Sequence, residues 1–208
     1  AVHGREVLRR AASYPDLGAA LADRTLAIGT TCRPGLYRSG AIPLRAAAGE
    51  LVSCDDRIAL VFGPEDHGLS NDDLRYCHRL ITIPTAPRYS SINLAQSVML
   101  AAYELFVALE TNGVAPPRTN RTRMFAPAPV TATEMMLERM EKALIAIGFL
   151  AADSPERIMF ALRGLLGRAG LNARELDILN GIAHQIEWFA RGGREIIDKK
   201  RHNGRKIR

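Results

Sequence analysis

The sequence predicts an α/β fold, a parallel sheet followed by a small all-helical C-terminal domain, and three observations carry that expectation. Up to about residue 110, short apolar runs alternate with helical patterns. Residues 111–129 then read TNGVAPPRTNRTRMFAPAP, a proline-rich stretch without apolar periodicity that has the character of a linker. Beyond it, apolar residues recur only at helical steps of three and four. Unbroken apolar runs separated by helices indicate parallel strands covered on both faces. The expected division is therefore 1–110, a linker 111–129, and a helical extension 130–208 that ends in a basic tail.

Taken in order, Thr25–Gly29 is a short buried strand stopped by glycine. Ile58–Phe62 is a stronger one, ended by Gly63-Pro64, and Arg79–Ile83 a third, ended by Pro84. Between the last two, Ser70 followed by Asn71-Asp72-Asp73 reads as a helix cap with an acidic first turn. Ser91 is expected to cap a longer helix from Ile92 to about Glu110, with Leu94, Val98, Ala101, Ala102, Leu105 and Leu109 on one stripe. After the linker come Glu134–Gly148, then Pro155–Leu166 with Ser154 as cap, then Asn172 to about Ala190. The apolar faces of the first and last carry Met136, Leu137, Met140, Leu144 and Ile147, and Leu176, Leu179, Ile182, Ala183, Ile186 and Phe189.

Composition narrows the function classes. With 47% hydrophobic and 24% charged residues, the 208-residue chain can bury a core and is not a disordered segment. No stretch approaches 18 uninterrupted apolar residues, so no membrane-spanning helix is expected, and Ala1–Arg5 does not open a signal peptide. Cys32, Cys54 and Cys77 form no C-x-x-C pair; neither a disulfide framework nor a zinc site is indicated, and a reducing cytoplasm is the natural setting. The net charge of +6 resides entirely in residues 191–208. Such a tail is either a phosphate-binding arm or a solvated terminus.

Each strand runs into a polar loop bearing glycine or proline: 29–35 (GTTCRPG), 63–68 (GPEDHG) and 84–91 (PTAPRYSS). In a parallel sheet the C-terminal strand ends share one edge, where open α/β sheets bind ligands. These loops contain neither G-x-G-x-x-G nor a P-loop lysine, which disfavours dinucleotide and nucleoside-triphosphate sites. Glu65 is expected to bond loop amides while Asp66 is solvated, and His67 and His78 read as surface residues without metal spacing. No base stands beside Ser90 or Ser91 and G-x-S-x-G is absent, which argues against a serine hydrolase. A helix start at Ser91 would nevertheless present free N–H groups to a carboxylate or phosphate.

Two of these loops, read with their flanks, resemble a known family. The run 60–70, LVFGPEDHGLS, followed by 83–96, IPTAPRYSSINLAQ, resembles the second and third motifs of the SPOUT superfamily, in its SpoU/TrmH branch of RNA 2′-O-ribose methyltransferases. The C-terminal runs at 137–149, 163–168 and 175–182 are similar to the helical extension of the TrmJ group, which methylates the first nucleotide of the tRNA anticodon loop, position 32. The resemblance implies a trefoil-knotted domain that binds S-adenosylmethionine, a homodimer, a tRNA partner and no metal or membrane. Thr30, Thr31 and Cys32 match the first cofactor loop, and Gly63, Ile83, Ser90, Ser91 and Ile92 match further cofactor positions. Glu65, Gly68 and Pro84 are implied as structural residues, and Ser91 and Asn93 as active-site residues beside the ribose. Arg33, Arg38, Arg88, Arg118, Arg121 and Arg123 are candidates for RNA phosphates. The family also carries an N-x-G-x-x-x-R motif whose arginine serves the ribose hydroxyl. Residues 2–22 hold no such motif, so a preceding strand–helix–strand unit of at least ~30 residues is expected outside the 208. Two other readings stand beside this one: ribosomal RNA as the substrate, or a non-catalytic RNA-binding or dimerisation module.

Overall fold

The structure, a computed structural model, describes residues 4–33, 40–54, 57–112 and 126–193. Two short helices, α1 (Arg5–Arg10) and α2 (Leu17–Ala20), precede strand β1 (Leu26–Thr30). There follow β2 (Ile42–Pro43), α3 (Leu44–Ser53), β3 (Ile58–Val61), α4 (Asn71–Arg75), β4 (Arg79–Thr82) and α5 (Leu94–Asn112). The C-terminal part consists of α6 (Val130–Ala146), α7 (Glu156–Ala169) and α8 (Ala173–Trp188), which closes in a π-turn over Phe189–Gly193.

All four strands are parallel, in the order β2-β4-β1-β3. The three expected strands appear within a residue of their anticipated limits. β2 was not foreseen, because a two-residue strand that includes a proline leaves no period-two pattern. β1 lies centrally, with Gly29 opposite Val61 of β3 and Leu80 of β4.

Alternation along β1 divides the core between the two faces of the sheet. Leu26 and Ile28 point to one face, where Leu44, Ala47 and Leu51 of α3 and Ala101 of α5 cover them together with Ile81. Ala27 points to the other, against Val61, Leu69, Leu74 of α4, and Val130 at the start of α6. Phe160 of α7 packs on this second cluster, and a Cβ at Gly167 would lie 3.0 Å from the Cα of His78. The C-terminal helices thus serve as one cover of the sheet. Val130 N–H donates to the Arg24 carbonyl at 2.8 Å and ties the start of α6 to the residues entering β1. His78 is correspondingly no plain surface residue: its Nδ1 accepts from the Ala27 N–H at 3.0 Å.

Several local expectations need correction. α5 starts at Leu94, two residues later than anticipated; Asn93, not Ser91, caps it, its Oδ1 accepting from Ala95 and Gln96 N–H at 3.0 and 3.3 Å. α7 begins at Glu156 with Pro155 as its cap residue and no side-chain cap from Ser154. The expected cap at Ser70 forms, and Asn172, expected as the first residue of the last helix, caps it instead; each has a reciprocal bond from the carboxylate three residues on. Only part of each predicted stripe is covered: Val98 and Leu109 on α5, Ile147 just after α6, and Ile182 and Phe189 at the C-terminal end remain exposed.

α5 also qualifies the membrane expectation. Leu94–Thr111 spans 18 residues at mean hydropathy 1.2 and is 11% buried, so it is long and apolar enough to cross a bilayer by length and composition. It is not uninterrupted, however. Glu104 sits within it and is gripped by Arg45 of α3 at 2.7 Å from Nη2 and 3.1 Å from Nε, which holds its carboxyl below the usual range.

Inside the C-terminal part, Arg163 of α7 is buried and donates to Glu134 of α6 at 2.9 Å. Burial raises the Glu134 pKa, and Arg163 opposes that rise. Truncating Arg163→Ala strands a buried carboxylate and is expected to cost about 3–5 kcal/mol in urea unfolding at neutral pH. A carboxyl whose pKa is raised by folding destabilises most once it ionises, so the loss should shrink below the ordinary carboxylate range, where Glu134 is protonated in both states. A double variant, Arg163→Met with Glu134→Leu, should recover most of the stability.

Candidate active site

The three polar loops leave the same edge of the sheet, and hydrogen bonds there bind the strand ends that carry them to one another. Thr30 Oγ1 donates to the Val61 carbonyl at 3.0 Å, which links the end of β1 to β3. Thr31 N–H donates to the Ile81 carbonyl at 2.9 Å, which links it to β4. Around this junction lies a cavity of about 330 Å³, at the lower end of the range for small-molecule pockets. Its walls come from all three loops and from the first turn of α5.

Two glycines set the shape of the second loop. A Cβ at Gly63 would lie 2.1 Å from the carbonyl carbon of Gly68, so the loop doubles back on itself with room only for hydrogen. Gly68 closes that turn at φ +64°, in the left-handed region that other residues avoid. Between them, Glu65 reaches across the site: its Oε1 accepts from the Asn93 side-chain amide and from Leu94 N–H at 3.1 Å. This carboxylate therefore fastens the second loop to the beginning of α5, where the helix dipole also favours a negative charge.

The neighbouring Asp66 is not merely solvated. Its Oδ1 accepts from the His67 N–H at 2.9 Å and lies 2.7 Å from His67 Nδ1. The hydrogen bond from His67 lowers its pKa. Arg33, from the first loop, donates through Nη2 to the His67 carbonyl and so bridges the first two loops.

All eight residues matched to a cofactor-binding role, Thr30, Thr31, Cys32, Gly63, Ile83, Ser90, Ser91 and Ile92, line this one cavity, as do Glu65, Gly68 and Arg33. Pro84, Arg88 and Asn93 stand outside its wall: Asn93 with its carboxamide engaged by Glu65 and α5, Arg88 fully on the surface. Arg38, Arg118, Arg121 and Arg123, with the basic tail beyond Gly193, lie outside the described residues. The sequence reading missed Phe62, Leu69, Leu94 and Ser97 as wall residues and Arg33 as a loop bridge. Phe62 and Leu69 flank recognised loops and read as core; Ser97 could be found only by placing it one turn into α5.

Comparison with known proteins supplies independent findings. Residues 2–103 match the model of the SpoU rRNA Methylase family, and residues 131–200 match that of the tRNA methyltransferase TrmJ, C-terminal domain. The tRNA (cytidine/uridine-2′-O-)-methyltransferase TrmJ of Klebsiella pneumoniae is 35% identical over 191 residues, 90% of this chain and 78% of that protein. The same-named protein of Yersinia enterocolitica is 40% identical over 150 residues, 71% of this chain but 58% of its own length. The tRNA (cytidine/uridine/adenosine-2′-O-)-methyltransferase TrmJ of Pseudomonas aeruginosa is 32% identical over 195 residues, 90% of this chain and 76% of that protein. The crystal structure of TrmJ from Z. mobilis ZM4 superposes with a TM-score of 0.69 at 30% identity, over 89% of this chain and 77% of that one.

The cavity wall makes a prediction for thiol chemistry. Cys32 is exposed on it, whereas Cys77 is half-buried and its pKa is raised to about 12, chiefly by desolvation. Iodoacetamide at pH 8 should therefore alkylate Cys32 in the native protein and leave Cys77 unmodified until the chain is unfolded, as read by peptide mass mapping.

Proposed function

The chain belongs to the TrmJ group of the SpoU family of RNA 2′-O-methyltransferases, and from that premise we propose that it methylates a ribose 2′-hydroxyl of tRNA with S-adenosylmethionine as donor. The observation that carries this reading is the convergence of eight cofactor-matched residues from three separate loops on one cavity. That cavity fits an adenosyl group in its chemistry: Phe62, Leu69, Ile83 and Ile92 supply apolar wall, while Thr30, Thr31, Ser90 and Ser91 supply hydroxyls and main-chain groups. The knotted threading of the family belongs to the same proposal.

The bound donor would supply an electrophilic methyl group. What the chain itself contributes is position. Ser91, on the cavity wall and two residues from Asn93, orients the ribose by hydrogen bonding. Asn93 holds the start of α5 and answers to Glu65, so it determines where Ser91 stands. No residue among the 208 matches the family arginine that would ease charge on the developing alkoxide. Arg33 on the cavity wall and exposed Arg88 are suited to tRNA phosphates. The target is proposed to be position 32, the first nucleotide of the anticodon loop, with more than one base accepted, in keeping with the relatives' names. Free cysteines and a tRNA substrate accord with a cytoplasmic setting.

We also propose that the functional form is a homodimer. α5 turns Val98, Met99, Tyr103, Phe106 and Leu109 to solvent, while its opposite side is held on α3 by Ala101 and Glu104. An apolar face of this size on a helix beside the site is suited to a second copy of the chain.

Two experiments test the reading. In the full-length protein, Asn93→Ala should lower the rate of methyl transfer to tRNA by on the order of 100-fold, the scale of a misplaced reacting group, with cofactor affinity by calorimetry changed far less; equal losses in both would contradict a positioning role. Phe106→Asp should convert the dimer to monomers in sedimentation velocity.

A further inference from the structure

Tyr89 is the most exposed large hydrophobic residue in the described structure, at 80%, and it directly precedes Ser90 and Ser91 of the cavity wall. A turn closed by Tyr89 N–H donating to the Ala86 carbonyl at 2.9 Å sets it there, with exposed Arg88 beside it. Ser90 and Ser91, the next two residues, line the cavity. Among the described residues, no hydrogen bond or ion pair engages the Tyr89 side chain. A ring left this bare between a basic residue and a ligand cavity has its apolar faces available to something that arrives from solution.

We propose that Tyr89 is the platform on which the base of the target nucleotide stacks. This rests on the methyltransferase reading above and extends it to how the substrate is held. The argument is one of reach. A nucleobase is attached to C1′, the carbon next to the one that bears the 2′-hydroxyl. Any nucleotide that brings that oxygen to Ser91 must therefore place its base about one sugar ring away. Two residues of chain span at most ~7 Å, so the Tyr89 ring is within the same compass. Stacking on an aromatic face suits unpaired loop nucleotides, and it tolerates different bases because each presents a π-face rather than one edge pattern. A platform of this kind explains how one site accepts more than one base, which edge-reading hydrogen bonds would prevent. Arg88 then faces a flanking phosphate.

The test uses the full-length protein and a tRNA carrying 2-aminopurine at the target position. Wild type and Tyr89→Phe should both quench the fluorophore on binding and transfer methyl groups to unmodified tRNA at similar rates. Tyr89→Ala should abolish the quench and reduce kcat/KM for tRNA by about tenfold or more, with cofactor affinity by calorimetry and the sedimentation coefficient unchanged. The proposal is overturned if Tyr89→Ala retains quench and kinetics. It is equally overturned if Tyr89→Phe loses as much as Tyr89→Ala, which would assign the role to the hydroxyl, or if Tyr89→Ala dissociates the protein, which would assign the ring to a second copy. Absence of methyl transfer by the wild-type protein to any tRNA would instead overturn the methyltransferase reading on which the platform rests.

Discussion

The site depends on the carboxylate of Glu65. The second loop and the start of α5 are separated by 28 residues and by an entire strand and helix, yet one oxygen of this side chain bonds to Asn93 and Leu94 together. Because α5 begins where the third loop ends, fastening its first turn also determines where Ser90, Ser91 and Ile92 lie. The acceptor is anionic and the donors include a helix N-terminus, the arrangement in which such bonds are strongest. Glycine is required at both ends of the loop that carries Glu65, since any other residue would push the turn outward and withdraw the carboxylate from α5.

The same edge of the sheet is braced from below. β1 has parallel partners on both sides, and its last residues extend bonds to β3 and β4 beyond the regular ladder. The loops are therefore mounted on a strand buried from Leu26 to Gly29, which limits how far they can drift. The C-terminal helices contribute to this rigidity. Val130 and Phe160 complete the apolar cluster on the face of β1 opposite α3 and α5. Leu21, Leu69 and Leu74 cover the rest of that face, and the helical part keeps a core of its own, around Met136, Leu137, Met159 and Leu176, besides lying on the sheet.

Much of the fold was legible because its signals are local. Three of the four strands found among the described residues, the cap at Ser70, and the three helices after the proline-rich stretch all follow from residues within a few positions of one another. The errors arose where local signals compete. Ser91 and Asn93 are both good caps, and Glu65, 28 positions away, engages the second. Periodicity marks which face of a helix is apolar but not whether anything covers it, so Val98 and Leu109 fall on the expected apolar stripe of α5 and are exposed.

The order of loops, the motif residues at 60–70 and 83–96, and the alternation of strand and helix were determined by the sequence alone, since each is a property of neighbouring residues and backbone preference. The sequence could not establish that Cys32, Gly63 and Ser91 share one cavity, that His78 holds the backbone of β1, or that Arg33 binds the carbonyl of His67. Those are long-range relations. They exist only once hydrophobic burial has chosen the strand order, and the free energy that chooses it is summed over the whole core rather than written in any one segment.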